Sequence, residues 1–443
     1  MSETNNTLKF IFLGCSFLFW GSVIASESFF VPHELLIACL VGLFLYQIFF
    51  PGRDDRCLTP FSRTWLLVLL VFFILNILPS MTHAVMDMAY GDRLKQHVEN
   101  ILHLAFFAIW FFLAVKLNVS VLQLWKFLIL SVIWVFWVLF YETYTLNGFE
   151  NLSSFIVLHR YGDVGSIAPI NFGIYANTLF LILLGGVFWF RKLGWGWILA
   201  LLVALAIALT GSILSQSRTA WIGWPEAIIA WTVFYSYYLW RNQKKGVLFG
   251  GAVTVIAVVI LLTQSSLYSL VEKRAVKAIT DVEDYIDGRP LTSLGQRFVM
   301  YEAGWNSFKE HPLIGVGPDG FPNELKKQTE SIFSEQFGIQ NKYLSFGHIH
   351  NQFLMSAMEN GILGVLSLIF LFLYLFVVFI QQAKNLNYYS KSLGVVGLVF
   401  MIASFLTFMP EVPLYRRDPF LFFFFVTSLL LVMLRAPMSD GKK

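Results

Sequence analysis

Charged residues are scarce in this chain. Asp, Glu, Lys and Arg make up 13% of its 443 residues, whereas 57% are hydrophobic. A soluble protein of this length needs far more charged surface, so the composition excludes that class and favours a polytopic membrane protein. Because apolar runs long enough for a membrane-spanning helix recur along the chain, we expect an all-α fold with transmembrane helices. No nucleic-acid partner is expected.

Cysteine and metal-binding patterns are scarce as well. The three cysteines, Cys15, Cys39 and Cys57, have no paired spacing, which argues against disulfides and cysteine metal sites. An acidic cluster lacks the spacing of an EF-hand loop, and we interpret it as a solvated helix face: Asp281, Glu283, Asp284 and Asp287. The sequence therefore predicts a reaction that needs no metal and no cofactor.

Long apolar runs are abundant. A run of about 20 residues crosses a bilayer as a helix, and about twelve can be placed within one membrane domain, residues 1–443. They lie near 8–25, 33–50, 63–79, 98–115, 121–142, 170–190, 194–214, 219–240, 246–266, 350–380, 391–409 and 419–435. The first run has no convincing cleavage site, and we expect it to be retained as a helix.

Basic residues predict the orientation of these spans. If both termini are cytoplasmic, fifteen Lys and Arg lie in inner connections and tails and six in short outer connections. This asymmetry matches the positive-inside rule. The long hydrophilic segment 267–347, between the ninth and tenth spans, then faces the outer compartment. A polar segment of that size cannot stay in hydrocarbon.

The outer segment contains two amphipathic patterns. The first repeats apolar residues every three or four positions, at Val271, Ala275, Ile279, Val282 and Ile286, as in a helix on a membrane surface. The second predicts a helix that opens at a capping box, Ser293 to Gln296, and stops before Pro312. The stretch Gly315–Gly320 is rich in turn residues and is interpreted as a turn.

Two arginines are candidates for phosphate binding. Arg218 follows the seventh span on the outer side, where a cation runs against the charge bias. A guanidinium binds phosphate bidentately and keeps its charge, although an arginine that snorkels to lipid phosphate would give the same pattern. Arg297 lies in the first turn of the second amphipathic helix, where a solvated or lipid-facing charge is the alternative.

His350 is the best candidate for proton transfer. It stands at the start of the tenth span, with Asn351 able to cap the helix or orient a neighbour. A helix N-terminus disfavours positive charge, and a general base must be neutral. A histidine that merely caps the helix is the alternative. His348 competes for the same role, and spacing does not separate the two.

Three segments together resemble the bacterial O-antigen ligases and their superfamily. They are Gln216-Ser-Arg218-Thr-Ala, Thr292-Ser-Leu-Gly-Gln-Arg297-Phe-Val-Met-Tyr-Glu, and His348-Ile-His-Asn-Gln-Phe-Leu354 followed by Gly361 and Gly364. The resemblance covers about 215–364. It implies inverting glycosyl transfer at the periplasmic face of the bacterial inner membrane. The donor would be O-antigen on undecaprenyl pyrophosphate, and the acceptor a sugar hydroxyl of lipid A–core.

The resemblance also assigns residue roles. Arg218 and Arg297 would hold the pyrophosphate and stabilise the leaving group, and His350 would accept the proton of the attacking hydroxyl. His348 and Asn351 would contribute to substrate binding. Arg160, Arg416 and Arg417 also lie outside and could steer lipid phosphates, although Arg416 and Arg417 equally suit an interfacial anchor.

Three other functions remain open at this point. An O-antigen polymerase uses the same donor with a second lipid-linked polysaccharide as acceptor. A protein O-oligosaccharyltransferase transfers to protein, but usually has a longer C-terminal region. A lipid-linked oligosaccharide flippase also has about twelve spans, yet it needs cations within its helices rather than a large outer segment.

Overall fold

The structure is a computed structural model that describes residues 2–24, 33–49, 60–86, 91–134, 137, 169–215, 217–221, 224–241 and 266–437. Within these ranges all regular structure is helical, as the predicted all-α fold requires. The chain divides into two compact units. Unit 1 comprises Met1–Gly223 and Leu366–Lys443, and unit 2 comprises Trp224–Val365.

Fourteen longer helices are labelled here in chain order. The first seven are α1 Ser2–Ile24, α2 His33–Phe49, α3 Pro60–Met86, α4 Asp92–Lys116, α5 Val121–Trp134, α6 Pro169–Gly186 and α7 Trp195–Leu214. The rest are α8 Trp224–Arg241, α9 Ser266–Ile286, α10 Ser293–Glu310, α11 Gly317–Phe337, α12 Gln352–Ala383, α13 Tyr388–Phe408 and α14 Arg417–Met433. One-turn helices cover Val187–Trp189, Phe190–Leu193 and Arg218–Trp221.

Six of the described helices are long and apolar enough to cross a bilayer: Phe61–Met86, Asp92–Lys116, Ile170–Trp189, Trp195–Ile213, Gln352–Ala383 and Tyr388–Phe408. Shorter apolar helices cover Asn6–Phe19, Ile37–Tyr46 and Val121–Trp134. The protein is therefore a multi-pass membrane protein. The count of about twelve stays a prediction, because nearly all of the ninth predicted span, 246–266, lies outside the described residues.

Helix α14 forms the core of unit 1. Every residue from Pro419 to Met433 is buried, as expected for a helix that is apolar on all sides. Phe422 stacks on Tyr175 of α6 at 4.3 Å between ring centroids, and Phe425 packs on Trp110 of α4 at 4.9 Å. These phenylalanines therefore fill the interior of unit 1.

Contacts at the helix ends of unit 1 define two opposite faces. Gln96 of α4, Asn171 of α6 and Arg417 of α14 line one cavity, so these three helices begin at the same face, called the pocket face. Helix α14 has 17 residues and ends about 25 Å away. There Arg435 lies over the ring of Phe61, at 4.1 Å from its centroid, so α3 begins at the opposite face.

Other helices of unit 1 also run alternately from one of these two faces to the other. At the opposite face, Lys192 after α6 lies over Tyr389 of α13, and Lys126 of α5 lies over Trp197 of α7. Helix α7 therefore begins there and ends at the pocket face. This alternation agrees with the predicted order of spans. The opposite face carries Arg63, Lys116, Lys126, Lys192, Lys384, Lys391 and Arg435, so the positive-inside rule predicts that it is cytoplasmic.

The hydrophilic segment of unit 2 contains three helices, α9 to α11, where the sequence predicts two. The interpretation of Gly315–Gly320 as a turn is wrong from Gly317 onward, because α11 begins there. Proline in the first turn favours helix entry, since it lacks only an N–H that would be unsatisfied anyway. Pro318 and Asp319 in the first turn and the stop at Gly338 were the available signals.

A crossing of backbones holds the start of α12 within unit 2. The N–H of Val316 donates to the carbonyl of Met358 at 2.8 Å, and the N–H of Ile362 donates to that of Pro312 at 2.8 Å. Between them, Gly361 has φ 61° and ψ −149° and interrupts the helix. A Cβ on Gly361 would lie 2.5 Å from the carbonyl carbon of Leu313. The kink thus depends on glycine and on the segment 312–316.

Candidate functional site

The candidate base His350 lies in a tight loop that ends at the start of α12. Asn351 is the N-terminal cap of that helix, because its Oδ1 accepts the N–H of Leu354 at 3.0 Å and its carbonyl accepts that of Met355. His350 precedes the cap with φ 52°. A non-glycine residue in this left-handed region costs on the order of 1–3 kcal/mol and is held by its surroundings.

His348 and His350 form a pair of perpendicular rings, with centroids 4.2 Å apart. The backbone N–H of His350 donates to Nδ1 of His348 at 3.3 Å. An imidazole nitrogen that accepts carries no proton, so this contact favours the tautomer of His348 that carries its proton on Nε2. His348 is buried at 7% exposure, whereas His350 is half-buried. The loop therefore presents His350 to solvent more than His348.

Helix α10 holds this loop through two contacts on one face. The Tyr301 hydroxyl donates to the carbonyl of His350 at 2.8 Å. One turn further on, Gly304 lies under Ile349: a Cβ there would approach Ile349 Cδ1 to 2.8 Å and Leu354 Cβ to 3.5 Å. Glycine at this position therefore allows the helix to lie close against the loop.

Arg297 is on the same face of α10. It precedes Tyr301 by four residues and Gly304 by seven, which is the spacing of a single helical stripe. Side chains four apart on a helix are neighbours, with Cβ atoms about 5–6 Å apart. Unit 2 thus brings half-buried Arg297 and the His350 loop to one side of α10.

The N-terminal cap of α10 is Thr292, whose Oγ1 accepts the N–H of Gly295 at 3.1 Å. The sequence predicted the capping box at Ser293, which is one residue too late.

Arg218 belongs to unit 1 and begins the one-turn helix Arg218–Trp221, directly after the end of α7. Serine side chains build this turn. Ser215 Oγ donates to the carbonyl of Ser212 at 2.8 Å and accepts the N–H of Ser217 at 3.3 Å. Trp221 Nε1 donates to the same carbonyl of Ser212 at 3.0 Å. The turn packs on α6 and lies at the pocket face.

Arg416 and Arg417 line the cavity at the pocket face, which has a volume of about 390 Å³. Its other lining residues are Gln96, Glu99, Asn100, Asn171, Asp418 and Pro419. Arg417 Nε donates to Asp418 Oδ1 at 3.3 Å. The sequence indicated the two arginines, but not the amides and the Glu99 carboxylate, which lie on helices far from them in the chain. Arg160 lies outside the described residues.

Two acidic groups of unit 2 already have cationic partners. Arg289 donates to Asp284 at 2.6 Å and to Asp287 at 3.0 Å. Asp281, predicted as part of a solvated face, is instead buried at 4% exposure.

In a second cluster of unit 2, the side chains of Glu310, His311 and Glu324 lie close enough together to hold a metal ion. The Lys327 ammonium lies 2.8 Å from Glu310 and 3.6 Å from Glu324, so a cation already lies between these carboxylates.

Comparisons with known proteins agree with the motifs. Residues 203–369 match the O-antigen ligase family, and this range contains Arg218, Arg297 and His350. An uncharacterized protein of Haemophilus influenzae is 30% identical over 226 residues, which cover 50% of this chain and 53% of that protein. An O-antigen ligase of Escherichia coli K12 is 24% identical over 187 residues, 42% of each chain.

The chain spans about half the length of these curated relatives. The range that matches the family, 203–369, contains each of the three segments that carry the resemblance. The expected resemblance is thereby confirmed: residues 203–369 are similar to the O-antigen ligase family, and part of the chain is similar to an O-antigen ligase of Escherichia coli.

Proposed function

We propose that this protein is an O-antigen ligase, an inverting glycosyltransferase of lipopolysaccharide biosynthesis. It moves O-antigen polysaccharide from undecaprenyl pyrophosphate to a sugar hydroxyl of lipid A–core. The reaction takes place at the periplasmic face of the bacterial inner membrane, and both termini are cytoplasmic. The match of residues 203–369 to the O-antigen ligase family supports this proposal.

The observation that carries the proposal is the His350 loop on α10. A half-buried imidazole is held in a strained backbone conformation by Tyr301, on the helix face that also carries Arg297. Strained residues held by their surroundings cluster at functional sites. Transfer from a phosphorylated donor requires both a base and fixed positive charge, and α10 carries the arginine and holds the loop of the candidate base.

The proposed reaction has one displacement step. The acceptor hydroxyl oxygen attacks the anomeric carbon of the donor sugar and forms the new glycosidic bond. The bond from that carbon to the pyrophosphate oxygen breaks, and undecaprenyl pyrophosphate leaves with the electron pair. The hydroxyl proton passes to a ring nitrogen of His350. Arg218 and Arg297 stabilise the negative charge that develops on the leaving group.

The loop geometry favours His350 over His348 as the base. Nδ1 of His348 accepts the backbone N–H of His350, and its side chain is buried. We assign His348 the role of orienting the loop and Asn351 that of fixing the start of α12. Both residues then act on substrate binding through the position of His350.

Analysis of cells that lack the protein tests the function. A ligase defect leaves lipid A–core without polymer, while long polymer accumulates on the undecaprenyl carrier. Carriers that hold single repeat units would instead identify a polymerase. Electrophoresis of surface polysaccharide, with core and carrier fractions separated, distinguishes these outcomes.

Purified protein tests the chemistry directly. In vesicles, it should join carrier-linked polymer to lipid A–core without nucleotide, and Arg218→Gln and Arg297→Gln should each reduce the rate by about 10²-fold or more. Glu330→Gln, on the exposed side of α11, is the control. Movement of the donor across the bilayer without transfer would identify a flippase and contradict the proposal.

A further inference from the structure

We propose that the cavity at the pocket face of unit 1 binds a sugar ring through its hydroxyl groups, and that it is not a phosphate site. This inference rests on the proposed function for the source of the sugar. The cavity is lined by three helix starts and the α13–α14 connection, and its volume of about 390 Å³ lies in the range of small-molecule sites.

The charges of the cavity argue against an anion. Arg416 and Arg417 are balanced by Glu99 and Asp418, and Arg417 already donates to Asp418 at 3.3 Å. A phosphate or diphosphate would bring further negative charge beside two carboxylates, which disfavours binding. In this proposal the two arginines donate to sugar hydroxyls instead of steering lipid phosphates.

The remaining polar groups suit hydroxyls. Gln96, Asn100 and Asn171 each offer an amide that both donates and accepts, while the carboxylates accept and the guanidinium groups donate. A sugar ring presents adjacent hydroxyls that also do both. Asn100 is held in place, because it is 2% exposed and its Nδ2 donates to the carbonyl of Tyr415 at 2.9 Å.

The position of the cavity suits a glycolipid. It lies where α4, α6 and α14 begin, which is the end of each span at which the membrane meets water. The carbohydrate of a glycolipid lies at that level, while its lipid remains in the bilayer. The ring belongs either to the acceptor core or to the donor polymer, since both present the same hydroxyl chemistry.

Binding to the full-length protein in nanodiscs tests the inference without any turnover. The probes are lipid-free, dephosphorylated core oligosaccharide, lipid-free O-polysaccharide and inorganic pyrophosphate. Saturation-transfer NMR should detect one of the two carbohydrates. Glu99→Gln with Asn171→Ala should weaken its binding at least about tenfold. Exposed Glu330→Gln with Asn323→Ala is the matched control, and Glu99→Gln alone is the milder variant.

Each outcome decides the matter. Core oligosaccharide bound by the cavity identifies an acceptor subsite, and O-polysaccharide identifies a donor subsite. Failure of both carbohydrates to bind, or binding that the double variant leaves unchanged, overturns the inference, as does pyrophosphate binding that depends on Glu99 and Asn171. Arg218→Gln should keep carbohydrate binding while it loses transfer. Binding and transfer are thus measured separately, and failure of this inference can be distinguished from failure of the proposed function.

Discussion

The hydroxyl of Tyr301 donates a 2.8 Å hydrogen bond to the backbone carbonyl of His350. It joins the middle of α10 to a residue whose φ of 52° needs outside support. Arg297 lies one turn earlier on the same helix, so one rigid element positions both groups. Helix α10 thus carries Arg297 and also holds the loop in which His350 lies.

Tyr301→Phe should slow transfer by about fivefold, because a hydrogen bond that contributes roughly 1 kcal/mol to the loop geometry is lost. The rate constant at saturation should fall while KM for both substrates stays within twofold, since Tyr301 acts through His350. Steady-state kinetics of the purified protein measure this split. Tyr343→Phe, on an exposed side chain, is the control. An unchanged rate at saturation would mean that the bond does not position His350.

His350→Asn should reduce transfer by about 10²–10⁴-fold, the usual contribution of a general base. Asparagine tolerates the left-handed region that His350 occupies, so the loop should keep its shape. The measurement is the transfer rate in vesicles together with thermal unfolding of the purified protein.

His348→Asn separates the two histidines. Because His348 acts on the loop and not on the substrate, its replacement should reduce transfer less than His350→Asn does. Full activity of His350→Asn together with an inactive His348→Asn would reverse the two roles. If both variants fold normally and lose transfer equally, the two histidines would have to share the proton of the attacking hydroxyl.

Gly361→Ala should destabilise the protein by at least about 2 kcal/mol. The left-handed φ with extended ψ is reserved for glycine, and the new Cβ would overlap the backbone of Leu313. Gly196→Ala in α7 is the matched control, since no atom lies within 4 Å of its Cβ position. Melting temperatures of the two variants in nanodiscs check the difference. Equal melting temperatures would contradict the crossing of the segment 312–316 over the kink.

Lys327→Met should lower the stability of the folded protein slightly, by an amount that depends on pH. Hydrogen bonds from Lys327 and Gln328 hold the pKa of the Glu310 carboxyl below its usual value. A lowered pKa in the folded state adds stability above the unfolded pKa, near 4.3, and this stability is lost as pH falls through the folded value. Both side chains are largely exposed, so the contribution at pH 7 is below about 1 kcal/mol.

Thermal unfolding of wild type and Lys327→Met at two pH values checks this. The variant should melt slightly lower at pH 7, and the difference should disappear near pH 3. A difference that grows in acid would contradict the assigned sign. Lys326→Met is a poor control because Lys326 lies over the ring of Tyr343, so Lys309→Met is preferred.

Periodicity predicted much of the fold. Apolar runs located the described membrane helices, and the 3.6-residue stripe located α9 and α10. The sequence did not predict α11, because the glycine and proline residues at 315–320 are as typical of turns as of the start of a helix. The prediction that Asp281 lies on a solvated helix face was also wrong. Whether a face of α9 is buried depends on which helix packs against it, and the sequence of α9 does not encode that.

Local chemistry in the sequence determined that the chain crosses a membrane as helices, that residues near 215–364 resemble the O-antigen ligases, and that Arg218, Arg297 and His350 are the residues to test. These features depend on hydrophobicity, spacing and residue type alone. The tertiary structure decided that Tyr301 holds His350, and that Asn100, Asn171 and Asp418 share one cavity. Such contacts join residues far apart in the chain, and packing between helices, which no local pattern encodes, brings them together.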